Sequence, residues 1–284
     1  MIVILSPPPL AEGEESKAFI DTTLLPTTRD QSDINISIMQ FKKEFLDKLK
    51  DAKKIVFFTG AGISAESGIS TFRGKDGIWN KMKPEELANF DAFIRNPDLV
   101  WEWYQHRRNI VNKALPNAGH TAIAELEKFY EVSVVTQNID NLHRRAGSTK
   151  IFELHGNIER NFCIECHTFY NSTDLEITTT VPKCKKCSGL VRPDVVWFGE
   201  MLPQDEFSGG EKVAEWSDIC FVVGTSAVVY PAAHIPISAK RAGSYLVEIN
   251  IEPTELSRFA DYSLFGKAGE ILPKIVEEVK KFKN

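Results

Sequence analysis

Two rhythms of apolar positions run along this chain. Phe41, Phe45, Leu46 and Leu49 recur at helical spacing, and the nearly unbroken apolar run Lys54-Ile-Val-Phe-Phe-Thr59 then reads as a buried strand entering Gly60. Val132–Thr136, Ile219–Val223 and Tyr245–Ile249 read as further strands, with a helix from Ala118 to Phe129 between the first two. Ile271, Leu272, Ile275, Val276, Val279 and Phe282 fall on one face of a closing amphipathic helix. Strands alternating with helices predict an α/β fold: a Rossmann-like parallel sheet covered on both faces.

Two segments break the alternation. Residues 73–117 are aromatic-rich with a helical pattern, and residues 157–194 carry four cysteines. The expected organisation is a large Rossmann-like domain built from 39–72, 118–156 and 195–284. A helical module (73–117) and a zinc-binding module (157–194) lie beside it across a cleft. Residues 1–38, with Pro7 to Pro9, Gly13 and the polar run Thr27 to Asp33, read as a loosely ordered extension or an N-terminal element packed on the body.

Bulk composition narrows the function classes. With 284 residues, 43% hydrophobic and 26% charged, the chain suits one large domain with an insert. A net charge of −5 argues against a basic nucleic-acid-binding surface, so no nucleic-acid partner is expected. The apolar start Met1 to Leu5 is too short, and lacks the basic flank, for a signal peptide. The longest apolar stretch, Phe221 to Ile237, is interrupted by Gly224, Pro231 and Pro236, so a cytoplasmic protein without a membrane span is expected.

Four of the five cysteines form two knuckles, Cys163-Ile-Glu-Cys166 and Cys184-Lys-Lys-Cys187. Two thiolates on each tight turn can meet at one tetrahedral Zn²⁺; paired disulfides are the alternative. A closed four-sulfur site leaves no open coordination position, so it would be a structural staple. Cys220, inside an apolar run, reads as a small core residue.

After the first strand comes Gly60-Ala-Gly-Ile-Ser-Ala-Glu-Ser-Gly68, whose start fits G-x-G-x-x-G/A on a strand-to-helix turn. Glycines there let backbone amides approach a pyrophosphate. A dehydrogenase would also need an acid on a second strand about twenty residues on. Here Trp79-Asn-Lys-Met-Lys-Pro84 offers neither strand nor acid, so a dinucleotide is expected without hydride-transfer geometry.

The glycine loop, Thr71-Phe-Arg-Gly74, Thr136-Gln-Asn-Ile-Asp140, His155-Gly156, the four cysteines, Val195-Val-Trp-Phe-Gly199 and Gly224-Thr-Ser226 stand in the order found in sirtuins. From about residue 40 to the end the chain resembles that family of NAD-dependent protein-lysine deacylases. The resemblance implies NAD and Zn²⁺ as cofactors and acylated lysine, in proteins or peptides, as substrate. It places Gly60, Ala61 and Gly62 at the phosphates, with Ile63, Ala65 and Trp79 also on the cofactor, and Thr71, Phe72 and Arg73 in a cofactor loop. Gln137, Asn138, Ile139 and Asp140 would hold the nicotinamide and its ribose, Asn138 and Asp140 with catalytic roles. Gly224, Thr225 and Ser226, then Asn250, Ile251 and Glu252, would reach the adenosine half, with Ala268 by the adenine. His155 would be the general base on a ribose hydroxyl, a task suited to a histidine that titrates near neutrality. Val195, Val196, Trp197 and Phe198 would form an edge to which the substrate backbone adds as a strand.

Tyr104 and Arg107, three apart on a predicted helix, resemble the Y-x-x-R pair of class III sirtuins, which favour succinyl-, malonyl- and glutaryl-lysine. A guanidinium fork matches a carboxylate and a phenol adds one hydrogen bond. The alternative is a solvated helix face shared with His106 and Arg108. The expected function is thus an NAD-dependent desuccinylase or demalonylase that also deacetylates. The competing readings are an ADP-ribosyltransferase on the same fold, an NAD sensor without turnover and, weakest, a dehydrogenase.

Overall fold

The computed structural model describes residues 40–72, 77–80, 83–175 and 179–283. The expected extension 1–38 and Arg73 therefore lie outside the described residues, as does the side chain of Trp79. In chain order the strands are β1 (Lys54–Thr59), β2 (Glu131–Thr136), β3 (Ile151–Glu153), β4 (Gly156–Cys163), β5 (Phe169–Asn171), β6 (Val191–Val195), β7 (Ile219–Val223), β8 (Tyr245–Asn250) and β9 (Tyr262–Phe265). The helices are α1 (Lys43–Asp51), α2 (Pro84–Leu87), α3 (Phe90–Arg95), α4 (Pro97–Lys113), α5 (Ala118–Leu126), α6 (Leu142–Arg145), α7 (Gln204–Glu215), α8 (Ile235–Ala242) and α9 (Ala268–Lys283).

Six strands form one parallel sheet in the order β3-β2-β1-β7-β8-β9. Its central strands are predominantly apolar and buried because both faces are covered. Phe57 and Phe221, adjacent on β1 and β7, stack with ring centres 4.8 Å apart and pack with α1, α5 and α9. Val56, Phe58 and Val222 point the other way, toward α7 and α8. A second, three-stranded antiparallel sheet, β5-β4-β6, carries the cysteines.

The apolar rhythm marks β1, β2, β7 and β8 of the large sheet and misses β3 and β9, whose three or four residues are too few to show a period, as well as β4, β5 and β6 of the small sheet, where polar residues interrupt the pattern. The helix expected to reach Phe129 stops at Leu126, where turns on the Leu126 carbonyl swing the chain into β2. The N-terminus of α5 is fixed by a reciprocal cap: Asn117 Oδ1 accepts from Gly119 N at 2.9 Å, and His120 Nδ1 accepts from Asn117 N at 3.3 Å. That cap holds the His120 imidazole inside the protein. Among the described residues no helix is long and apolar enough to cross a membrane.

Candidate active site and metal centre

The strand order reverses direction between β1 and β7, and open α/β sheets bind ligands in the crevice beyond such a point. Here the loops after β1 and β7 meet there. A cavity of about 910 Å³ opens above them, lined by Gly60, Ala61, Gly62 and Ala65 from one loop and by Gly224, Thr225 and Ser226 from the other. The glycines answer a crowding problem. A Cβ on Gly62 would stand 2.7 Å from Gly224 Cα, and one on Gly224, itself at φ +60°, would stand 2.4 Å from Ile63 N. The amides of Gly60 and Gly62 already donate to Val223 O and Gly224 O, at 3.0 and 2.7 Å. The expected amide cradle is therefore reduced at these two positions, whose glycines first of all let two loops cross. The segment Ala61–Ser67 winds as a 3₁₀ helix rather than the α-helix of a standard dinucleotide turn. It turns the Ile63 side chain into the core, away from the cavity, and leaves Ala65 on the wall.

Gln137, Asn138 and Ile139 follow β2 and line the same cavity, as do Thr71, Phe72, Asn250, Ile251, Glu252 and Ala268. Sequence reasoning missed other wall residues, among them Ile69, Ala88, Trp103, Val229, Thr254 and Lys267, which sit in loops or helices without a motif. Asn138 Nδ2 donates to Gly60 O at 3.0 Å. Asp140 stands behind the wall, both carboxylate oxygens occupied: Oδ2 accepts from Ser64 Oγ at 2.7 Å and Oδ1 from Leu142 N at 3.0 Å. Burial raises its pKa, opposed by these bonds and by the charge of Arg107.

His155 lies in the two-residue link, Leu154–His155, through which the chain leaves the large sheet for the small one. Gly156 follows at φ +77°, and any Cβ there would stand 2.1 Å from Asp194 O, so the crossing demands glycine. His155 Nδ1 is 3.0 Å from Gln137 O. A carbonyl only accepts, so Nδ1 carries the proton and Nε2 keeps its lone pair. His155 lines the cavity, and its Nε2 has no hydrogen-bond partner among the described residues. The sequence reading has this ring titrating near neutrality; burial instead pushes it down to about 4, partly offset by the Gln137 bond, so it is neutral at pH 7.

His120 is likewise held down at about 4 by burial, and His143, 4.9 Å away ring to ring, well below its ordinary value. Above pH 6.5 such rings are neutral folded or unfolded and contribute nothing to pH dependence. Below it the unfolded chain takes up protons that the folded one refuses, so stability falls as pH drops from 6.5 toward 4. The loss is roughly 3 kcal/mol for His120 alone by pH 4. A melting temperature that declines steadily from pH 6.5 to 5 is the expected result, and a flat profile would contradict it.

Tyr104 and Arg107 share a face of α4, both buried. Tyr104 lines the cavity and accepts a hydrogen bond from Trp197 Nε1 at 2.8 Å. The Arg107 guanidinium lies one layer back, 5.2 Å over the Phe72 ring and 5.9 Å over Trp103, both on the wall. Its Nε has no hydrogen-bond partner among the described residues.

Along Val195–Phe198 three amides are already engaged: Val196 N with His155 O, Trp197 N with Glu200 Oε2 and Phe198 N with Ala88 O. The expected strand edge is thus largely closed as a donor. Val195, Val196 and Phe198 line the cavity, while the Trp197 side chain is fully buried behind it.

The four knuckle sulfurs converge. All lie within 4.8 Å of one another, with Cys163 and Cys187, and Cys166 and Cys184, each 3.5 Å apart. Disulfides need about 2 Å, whereas tetrahedral zinc at 2.3 Å from each sulfur sets them about 3.8 Å apart. The donor set fits zinc. Thr168 Oγ1 and Tyr170 Oη, each 3.1 Å from a sulfur, are placed to donate to thiolates. The apolar core beneath is small, centred on Cys163, Cys184 and Val191. Stripping the metal is therefore expected to release hydrogen-exchange protection across β4–β6 and leave β1, β2 and β7 protected. Unchanged protection in β4–β6 would rule out a stapling role.

The Sir2 family profile matches residues 60–231. The chain is 53% identical over 236 residues to NAD-dependent protein deacylase 2 of Pyrobaculum aerophilum, covering 83% of this chain and 94% of that one. It superimposes on a Sir2 homologue–NAD complex with a TM-score of 0.81 and 46% identity, covering 86% of this chain and 96% of that one. Against a Sir2–p53 peptide–NAD⁺ complex the TM-score is 0.75 at 36% identity, with 84% and 98% covered.

Proposed function

The chain belongs to the Sir2 family, and from that premise we propose that it is an NAD-dependent protein-lysine deacylase favouring succinyl- and malonyl-lysine while also accepting acetyl-lysine. One contrast carries the acyl preference. Arg108 is saturated: Nε donates to Ile158 O, Nη1 to Gln105 Oε1 and Nη2 to Asn161 Oδ1, at 2.7–2.8 Å. Its neighbour Arg107 is equally buried yet lacks any such set among the described residues, and burial works against its charge. A buried guanidinium without an acceptor is costly unless a ligand supplies one. A carboxylate at the tip of an acyl chain meets that need beside Tyr104, reached once Phe72 turns aside.

NAD, when bound, supplies an electrophilic ribose carbon and nicotinamide as leaving group. Gln137, Asn138 and Ile139 would hold its nicotinamide end, and Thr225, Asn250 and Glu252 its adenosine end. Neutral His155 accepts a ribose hydroxyl proton at Nε2, while the Gln137 carbonyl stabilises the charge that forms on the ring. The products are nicotinamide, O-acyl-ADP-ribose and the free lysine. Zinc plays no part in this chemistry. The ADP-ribosyltransferase alternative is not favoured, since the relatives are named deacylases.

The test is a mass-spectrometric comparison of one lysine peptide, acetylated or succinylated, with and without NAD. Faster NAD-dependent succinyl loss is expected. Acetyl loss alone would return Arg107 to a structural role, and loss of neither group would overturn the deacylase reading.

A further inference from the structure

The hydrogen bond between Trp197 and Tyr104 has a fixed direction. An indole N–H can only donate, so the phenol oxygen is the acceptor and the phenol keeps its single proton. No described residue accepts that proton. Burial holds it on the oxygen at any physiological pH. Tyr104 lines the cavity and the Trp197 ring does not, so the indole acts on a ligand only through the phenol.

The indole itself is clamped. The Arg192 guanidinium lies over its face at 3.3 Å from the ring centre, pairs with Glu200 and donates to Val195 O at 2.7 Å. Glu200 Oε2 in turn accepts from Trp197 N at 2.8 Å. Phe93 packs against the ring, 5.3 Å centre to centre. Face and main chain are therefore both held, which leaves Nε1–H little freedom of aim.

We propose that Trp197 is a positioning residue for acyl selection: its indole N–H occupies the phenol oxygen of Tyr104 and so turns the one phenolic proton into the cavity, toward an acceptor on the acyl chain. This rests on the reading of Tyr104 and Arg107 given above. A carboxylate has lone pairs to receive that proton and an acetyl methyl has none, so the device acts on acidic acyl groups alone.

Trp197→Phe keeps a smaller aromatic ring at this buried position and removes the donor. The ratio of kcat/KM for succinyl over acetyl peptide is expected to fall about tenfold, chiefly through KM, because the contact binds ground and transition states alike. In a Tyr104→Phe background the same substitution should leave the ratio unmoved, since no phenol remains to aim. Should the variant not fold, the indole ¹⁵N–¹H resonances of the wild-type enzyme provide a second reading: the Trp197 signal should shift further with succinyl than with acetyl peptide, and equal shifts overturn the proposal. If the wild type removes only acetyl groups, the acyl-preference reading fails and this inference with it. If the wild type prefers succinyl and Arg107→Met is selective, yet Trp197→Phe keeps the wild-type ratio, this inference alone fails.

Discussion

Replacing His155 with alanine is expected to lower deacylation between about a hundredfold and ten-thousandfold while leaving NAD affinity within a fewfold. The geometry gives the reason. Nε2 is the buried nitrogen, without a hydrogen-bond partner among the described residues, of a ring that lines the cavity and whose other nitrogen is spent on Gln137 O. Burial keeps that nitrogen unprotonated from pH 7 down toward 4, so the base is in its working form across the neutral range. The proposed cofactor contacts lie on other loops, so isothermal titration with NAD should separate binding from turnover, with nicotinamide release as the rate. Undiminished release would remove His155 from the proton transfer. Loss of both binding and release would mean that alanine collapses the link between the sheets, which the melting temperature would reveal.

Arg107→Met should depress desuccinylation about a hundred- to a thousandfold and deacetylation far less, because it withdraws a buried cation from an incoming carboxylate. Methionine fills much of the space of the aliphatic stem but gives up the guanidinium's contacts over the Phe72 and Trp103 rings. Arg108→Met is the matched comparison. It strands the acceptors Ile158 O, Gln105 and Asn161, and should cost roughly 3 kcal/mol of stability with no change in acyl preference. Equal losses on both substrates for Arg107→Met would make that residue part of the scaffold.

Adjacent arginines on one helix illustrate what a sequence can and cannot tell. Spacing put Tyr104 and Arg107 on one face, and motif order put them in a functional context. Which of Arg107 and Arg108 is internally satisfied depends on Ile158 and Asn161, fifty residues away on β4, and no local pattern carries that. The zinc knuckles were legible because the ligand geometry is local: two turns, each offering two sulfurs. Ile63 and Ala65 were indistinguishable in the glycine loop until the 3₁₀ winding turned one into the core and the other onto the wall. Asp140 reads as a cofactor ligand from its motif, yet Ser64 and Leu142 hold both its oxygens behind the wall, a closure made by residues 76 positions away and two positions away. The His155 titration range likewise follows from packing, which residue type alone does not encode.

The link at Leu154–Gly156 bears on how genes of this kind can recombine. The encoded polypeptide passes from the large sheet to the cysteine-bearing one at His155 and returns at Val195–Val196, where Val196 N is tied back to His155 O. A crossover that exchanged residues 157–194 between two parents would therefore cut within two residues of the base and sever a pairing both sides must share. Such chimaeras should work only when the parents agree on the glycine after the histidine and on the return strand. The cysteine-bearing insert and the proposed base, His155, are thereby inherited as one unit, and divergence is channelled to helices such as α4, where the proposed acyl pocket can change without disturbing the seam.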